Sequence, residues 1–171
     1  MSVTGALTLA HGFTQTARSW TVFEQLLVAS GVSAHSIQAV DMAGHGTAAD
    51  VRSDLWASAE RLVHAGGTGS YVGYSMGGRV ALHAALSHPD EVERLVLIGA
   101  TPGIVDDAAR EDRCVADEIL AEQIETVGVE AFIDQWLTNA LFAGLTAETA
   151  MRDDRLRNTV EGLASSLRLA G

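Results

Sequence analysis

The stretch GYSMG at residues 73–77 decides how this chain is interpreted, because it places a G-x-S-x-G pattern between two contrasting segments. Residues 70–74 are aromatic and β-branched, which favours a short strand. Residues 76–87 are rich in Ala and Leu and contain no proline, which favours a helix. A serine on such a strand-to-helix turn is exposed above the carboxyl end of a sheet, where catalytic groups lie.

Ser75 itself is expected to have strained backbone angles, and the glycines two residues to either side leave room for so tight a turn. The helix that begins after it would direct free N–H groups and a positive dipole end toward the serine. The pattern therefore predicts that Ser75 is a catalytic nucleophile or base. The alternative is a small, glycine-loosened turn without any chemistry.

The composition is that of an acidic enzyme domain. The chain has 171 residues, 47% of them hydrophobic, which suffices for one core and excludes intrinsic disorder. A net charge of −11 disfavours nucleic acid and membrane surfaces as partners. The one cysteine, Cys114, suits a reducing compartment, and residues 1–10 lack the basic region and cleavage site of a signal peptide. A cytoplasmic protein is therefore predicted.

Strand-like and helix-like segments alternate through residues 1–101, which is typical of a parallel sheet covered by helices. Four strands are predicted, near residues 5–10, 36–41, 70–75 and 94–99. Helical patterns lie between them, at residues 20–29, 51–63 and 76–87. The predicted fold class is therefore α/β.

From residue 102 onward the strand patterns disappear, and apolar residues recur only at helical spacing. Helices are predicted at residues 107–127, 129–142 and 147–170. Ligands of parallel sheets bind at the carboxyl ends of the strands. Residues 102–171 are therefore predicted to form a helical lid over that edge, and residues 1–101 the N-terminal part of the core.

Three motifs give the chain a resemblance to the α/β-hydrolase fold: His11-Gly12-Phe13, DMAGHG at residues 41–46 and GYSMGG at residues 73–78. A narrower resemblance, from His11 to the end of the chain, is to the 2-succinyl-6-hydroxy-2,4-cyclohexadiene-1-carboxylate synthases of menaquinone (vitamin K2) biosynthesis. The residues that carry it are GYSMGGRVAL with Arg79, LIGATPG, Arg110, Arg113, Asp117, Phe132, Trp136, Leu141-Phe142, Arg155-Leu156 and the run from Gly162 to Arg168.

The resemblance implies a lyase that hydrolyses no ester and needs no cofactor or metal. It removes a proton next to a carbonyl and so eliminates pyruvate from 2-succinyl-5-enolpyruvyl-6-hydroxy-3-cyclohexene-1-carboxylate. A small substrate with several carboxylates requires fixed cations, and guanidinium groups match carboxylates bidentately. Because the chain carries a net charge of −11, arginines beside the serine and in the lid are better candidates than random surface charge.

The site residues follow from the fold and from the resemblance together. Ser75 is the catalytic residue, and the backbone N–H of Met76 is one expected oxyanion donor. The resemblance implies that the second donor is the N–H of Phe13 and that the substrate contacts come from Tyr74, Arg79, Arg113 and Trp136. Each of these four has an ordinary alternative, since an arginine often faces water and an aromatic ring is often packed. The histidines His11 and His45 are expected to shape loops.

The chain departs from the family pattern at the catalytic base. The triad of this fold runs Ser, Asp, His, yet the only histidines after Ser75 are His83 and His88. At about 1.5 Å per residue, His83 lies about 12 Å along the following helix, so neither can be the base. The acid and the histidine are therefore expected from a C-terminal segment, in the remainder of the protein or in another chain. The present chain is expected to lack the C-terminal strands, to be inactive alone and to leave its last strand as an exposed edge.

Two further functions stay open. The G-x-S-x-G pattern alone favours a general serine ester or thioester hydrolase, although a neutral acyl substrate gains nothing from buried guanidinium groups. The absent base suits a non-catalytic binding protein of the same fold, although strained backbone without a function has no reason to persist.

Overall fold

The computed structural model describes residues 5–171, in which a parallel sheet of four strands forms the centre of the molecule. The strands are β1 (Ala6–Ala10), β2 (Ile37–Val40), β3 (Gly69–Tyr74) and β4 (Val92–Ile98). They lie in the order β2-β1-β3-β4, and every neighbouring pair is parallel. The predicted strands and the α/β class are confirmed.

The described part of the chain has α-helices between and after these strands. They are α1 (Thr21–Ala29), α2 (Leu55–Gly66), α3 (Met76–Ser87), α4 (Asp107–Trp136), α5 (Arg152–Arg155) and α6 (Val160–Ala170). Asp54 and Asp106 cap α2 and α4 by accepting a hydrogen bond from the N–H three residues later. Within residues 5–171, no helix combines the length and the apolar character needed to cross a membrane.

The sheet is covered unevenly. Helices α2 and α3 pack against each other and against the strands, and this contact buries Leu62 and Tyr71. In contrast, α1 buries none of its residues, and Val22 and Leu26 are 65% and 61% exposed. β4 lies at an edge of the sheet, as predicted, and Val96 on it is 50% exposed. Much apolar surface is therefore uncovered in the described chain.

The helices after β4 have a core of their own. α4 and α6 pack together around a cluster of apolar side chains, which are Ala121, Ile124, Phe132, Ile133, Leu163, Ala164 and Leu167. Phe13, from the loop after β1, packs against this cluster and so joins the lid to the sheet. The domain boundary at residue 101 stays a prediction.

The second predicted lid helix, residues 129–142, is wrong only at its end. The predicted break at Gly128 is present, because α4 consists of two helical segments that meet at Gly128, where φ 79° and ψ 168° depart from helical geometry. The helix then ends at Trp136, and residues 140–142 form only a short 3-10 turn. A glycine adopts the positive φ without a Cβ clash, so the chain can bend here and continue as a helix.

The third predicted lid helix, residues 147–170, is also wrong, because only α5 and α6 within it are helical. The break falls at Asn158 and Thr159. Asn158 uses its side chain in contacts with distant loops, and Thr159 caps α6 by accepting from the N–H of Gly162. Both side chains thus favour a helix boundary over a helix interior.

Candidate active site

Ser75 lies between β3 and α3 with φ 52° and ψ −117°, which is strained for a residue with a side chain. Its N–H donates to the carbonyl of Ile98 at the end of β4. A Cβ on Gly73 would overlap the first turn of α3, and one on Gly77 would overlap two carbonyl oxygens at the end of β1. The strained strand-to-helix turn that the sequence predicts is therefore present.

A cavity of about 360 Å³ lies beside the serine. It brings together six of the seven predicted site residues, which are Phe13, Ser75, Met76, Arg79, Arg113 and Trp136. The rest of the wall comes from the turn after β4 and from α4 and α6. Tyr74 is not part of this wall, because its ring lies against Gly12 and Gly99.

The backbone N–H groups of Phe13 and Met76, both residues of the cavity wall, lack a hydrogen-bond acceptor among residues 5–171. Met76 is the first residue of α3, so its N–H is one of the free donors of a helix start. Donors of this kind stabilise negative charge that develops on an oxygen beside them. Both residues predicted as oxyanion donors thus have an N–H that is free to act.

Two arginines line the same cavity. Arg79 donates to the carbonyl oxygens of Ala170 and Gly171 at 3.2 and 3.1 Å. Arg113 donates to the buried carboxylate of Asp117 at 2.7 Å and keeps 48% of its own side chain exposed. Burial lowers the pKa of Arg79, and the nearby charge of Arg113 lowers it further. Two cations therefore share the cavity wall with Asp117.

Trp136 is packed in the lid and also lines the cavity. Its ring stacks on Phe132 with 5.8 Å between ring centroids and meets Phe13 edge to face at 5.5 Å. Its Nε1–H is buried and has no acceptor within residues 5–171. A buried donor without a partner is costly, so this N–H is an unexplained feature of the packed ring.

The buried histidines bind backbone atoms, as expected of residues that shape loops. His11 accepts from the N–H of Met42 at 3.0 Å, and His45 accepts from the N–H of Thr14 at 3.3 Å. In each ring the other nitrogen donates to a nearby carbonyl. Burial lowers the pKa of both histidines, and that of His45 falls to about 3 with a further contribution from His11. Both rings are therefore neutral.

Three buried polar residues of the lid escaped the sequence analysis as site candidates: Asp154, Arg155 and Asn158. All of them bind the loop after β1 that carries Phe13. Arg155 donates to the Thr14 hydroxyl and, at 3.4 Å, to the Phe13 carbonyl. The run RDDRLRN at residues 152–158 is so polar that it indicates a solvated surface. Only the inclusion of Arg155 in the family resemblance was a signal of its importance.

No histidine in residues 5–171 lines the cavity. His83 bonds to the carbonyl of Arg79, and His88 lies 2.8 Å from Glu60, so both stay on α3 or just after it. The same described residues contain no group of three or more His, Cys, Asp and Glu side chains that could hold a metal ion. The polar side chains that line the cavity are those of Ser75, Arg79, Thr101, Arg113, Asp117, Trp136 and Ser166.

Comparison with known proteins places this geometry in a family. Residues 9–170 match the alpha/beta hydrolase family, and the chain belongs to it. MenH from S. aureus superposes with a TM-score of 0.84 at 24% identity, over 100% of this chain and 68% of that one. A thermophilic esterase from Thermogutta terrifontis superposes with a TM-score of 0.76 at 19% identity, over 98% and 64%. These two likenesses show the fold alone and confirm the α/β-hydrolase fold.

Two curated relatives carry a narrower name. The 2-succinyl-6-hydroxy-2,4-cyclohexadiene-1-carboxylate synthase of Salmonella typhimurium is 33% identical over 174 residues, which cover 96% of this chain and 66% of the relative. A Bacillus subtilis protein that bears the same name provisionally is 33% identical over 179 residues, which cover 95% and 62%. The predicted resemblance to these synthases is confirmed, and the chain spans about two thirds or less of their length.

Proposed function

We propose that this chain is part of a 2-succinyl-6-hydroxy-2,4-cyclohexadiene-1-carboxylate synthase, a carbon–oxygen lyase of menaquinone biosynthesis. The observation that carries the proposal is the cavity itself, which a strained serine, two unbonded N–H groups and two arginines line together. An esterase of neutral substrates needs the serine and the N–H groups but has no use for the arginines. The names of the two curated relatives support the same reaction.

In the proposed reaction, a histidine supplied by another segment or chain takes the hydroxyl proton of Ser75. Ser75 Oγ removes the proton from the ring carbon next to the succinyl carbonyl, and the C–H electrons form an enolate. The N–H groups of Phe13 and Met76 bind the enolate oxygen, with the positive end of α3 behind them. The electrons then shift through the ring double bond and break the C–O bond to the enolpyruvyl group. This group leaves as the enolate of pyruvate and is protonated, and the ring becomes the 2,4-diene.

Arg79 and Arg113 are proposed to bind substrate carboxylates. Arg79 already bonds through two nitrogens to two separate oxygens, and a carboxylate presents two oxygens in one plane. Trp136 lines the same wall and is proposed as a further substrate contact through its ring. Tyr74 remains a proposed contact that requires its ring to turn toward the cavity.

The proposed site also needs a partner for Ser75, because a free hydroxyl is a poor base near neutral pH. Since no histidine in residues 5–171 lines the cavity, we propose that an acid and a histidine come from another segment of the protein or from another chain. The 171 residues alone are then expected to release no pyruvate, and the added segment is expected to restore turnover. Exposed Cys114 suits the cytoplasm as the proposed location.

The experiment that tests this function measures pyruvate release by the protein as it occurs naturally. The substrate is 2-succinyl-5-enolpyruvyl-6-hydroxy-3-cyclohexene-1-carboxylate, with 4-nitrophenyl butyrate as the comparison. We expect rapid pyruvate release and little ester cleavage. The opposite preference would establish a general serine hydrolase, and no reaction with either substrate would favour a binding protein.

A further inference from the structure

We propose that Asn158 is a positioning residue for the Phe13 N–H, a role that rests on the proposed function of that N–H as an oxyanion donor. Asn158 is 6% exposed and lies between α5 and α6. Its amide donates to the carbonyls of Thr14 at 2.6 Å and Arg155 at 3.0 Å, and its oxygen accepts from the N–H of Gly46 at 3.0 Å. This side chain therefore joins the loops after β1 and β2 to the lid.

The loop that Asn158 holds is strained at Thr14, which has φ 68° in the left-handed region. Every polar atom of Thr14 is bonded: the N–H donates to His45, the carbonyl accepts from Asn158 and the hydroxyl accepts from Arg155. Such a conformation persists only where the surroundings over-determine it. Asn158 supplies the contact to the Thr14 carbonyl, and its loss would free this peptide to relax.

The peptide unit between Gly12 and Phe13 is also fixed, which matters because it carries the donor. The carbonyl of Gly12 belongs to the same planar unit as the N–H of Phe13. It accepts from the N–H of Gln15 at 3.2 Å and lies 2.8 Å from Nδ1 of His11. In a trans peptide unit the carbonyl oxygen and the N–H point to opposite sides. Because the Gly12 oxygen is held by these partners, the Phe13 N–H points away from them.

Asp154 anchors the far end of the same loop. Its two carboxylate oxygens accept from Thr16, one from the N–H at 3.0 Å and one from the hydroxyl at 2.5 Å. Asp154 is buried, with 8% of the residue exposed. Because Asp154 and Asn158 both belong to the lid, the position of the lid sets the geometry of the loop and hence of the Phe13 donor.

The test compares Asn158→Ala with Asn139→Ala in the protein as it occurs naturally. Asn139 is an exposed lid asparagine whose side chain only caps a turn at Leu141, so it is a matched control. Two quantities are measured: the kinetics of pyruvate release, and the amide signals of Phe13 and Thr14 in ¹⁵N–¹H NMR spectra. In Asn158→Ala we expect kcat to fall about tenfold to a hundredfold with little change in KM, and both amide signals to shift. Asn139→Ala is expected to change neither.

Three results in Asn158→Ala would each overturn the positioning role of Asn158. They are a wild-type kcat, a rise in KM at constant kcat, and unmoved amide signals of Phe13 and Thr14. Should that variant not fold, Asn158→Ser takes its place, since it removes the amide that binds the Thr14 carbonyl and keeps a small polar side chain at this buried position. Shifted signals would then support the role, and unmoved signals would end it. If the wild-type protein releases no pyruvate, the proposed function fails, while the NMR comparison still decides the role of Asn158.

Discussion

The two ends of the cavity are held in different ways. At the serine end, the loop that carries Phe13 is bound by buried lid residues and by a neutral histidine. At the other end, Arg79 and Arg113 are only partly buried and bind backbone carbonyls or Asp117. Groups that stabilise a transition state need a fixed position, whereas groups that bind a substrate must first release other partners. We therefore propose that the serine end serves catalysis and that the arginine end serves substrate recognition.

The tight packing of the serine end can be broken by one methyl group. In Gly77→Ala the new Cβ would overlap backbone oxygens of Ala10 and His11, which have little room to move. We expect the free energy of unfolding in urea to fall by about 3 kcal/mol. In Gly144→Ala the Cβ meets open space, and the expected change is within about 0.5 kcal/mol. Equal free energies of unfolding for the two variants would mean that the turn at Ser75 can accommodate a Cβ on Gly77.

The arginine end can be tested without disturbing the serine end. We expect Arg79→Ala to lower kcat/KM for pyruvate release by about tenfold to a hundredfold, because a charge-assisted bond to a carboxylate contributes about 1.5–3 kcal/mol. Any hydrolysis of a small neutral ester is expected to change little. Arg61→Ala, an exposed arginine of α2, is the control and is expected to have wild-type kinetics. Similar losses on both substrates would show that Arg79 is structural.

The neutral histidines make the serine end sensitive to acid. Burial lowers the pKa of His45 from 6.5 to about 3 and lowers that of His11, although Asp41, Asp154 and the nearby backbone carbonyls oppose this. At a pH between 6.5 and the lowered pKa of a histidine, the unfolded chain binds a proton that the folded chain does not. The stability contributed by the neutral histidines is therefore fully present above about pH 6.5 and declines as the pH falls. Each histidine contributes a slope of up to about 1.4 kcal/mol per pH unit.

Urea unfolding at pH 7 and pH 5 measures this slope. We expect a shallower pH dependence in His45→Gln than in the wild type, and no change in slope in the exposed control His64→Gln. A His45→Gln protein with the wild-type slope would show that His45 is not held neutral.

The smallest effect is expected on the outer surface of the lid. Arg168 on α6 bridges Glu118 and Glu125 of α4 at 2.7 and 2.5 Å, and all three side chains are in contact with solvent. In Arg168→Gln we expect the melting temperature to fall by no more than a few degrees, since exposed ion pairs contribute little. The difference should vanish in 1 M NaCl, where charges are screened. A large, salt-independent loss would mean that Arg168 has a packing role.

The sequence was sufficient for the sheet, for the strained turn at Ser75 and for six residues of the cavity wall. Strand patterns and the G-x-S-x-G spacing are local signals, so the four strands and the bounds of α3 could be predicted. Met76 follows from its place directly after Ser75 at the start of α3, and Arg79, Arg113 and Trp136 follow from the family resemblance. Tyr74 lies beside Ser75 in sequence, but β-strand alternation turns its ring away from the cavity.

What escaped prediction depends on contacts between distant parts of the chain. Asn158 and Asp154 bind loops more than 100 residues away, and no local pattern reports such a pairing. The apolar periodicity of residues 147–170 indicated one long helix. The same contacts interrupt that helix between α5 and α6. Helix α1 was predicted from its helical pattern, and none of its residues is buried in the described chain.

The most direct test of the division between catalysis and recognition is the Ser75→Ala variant of the protein as it occurs naturally. Pyruvate release and the affinity for the product 2-succinyl-6-hydroxy-2,4-cyclohexadiene-1-carboxylate are measured together. If Ser75 removes the proton and the arginines bind the carboxylates, turnover falls by at least about a thousandfold while the product Kd stays near the wild-type value. Pyruvate release close to the wild-type rate, or loss of product binding along with turnover, would contradict this division between catalysis and recognition.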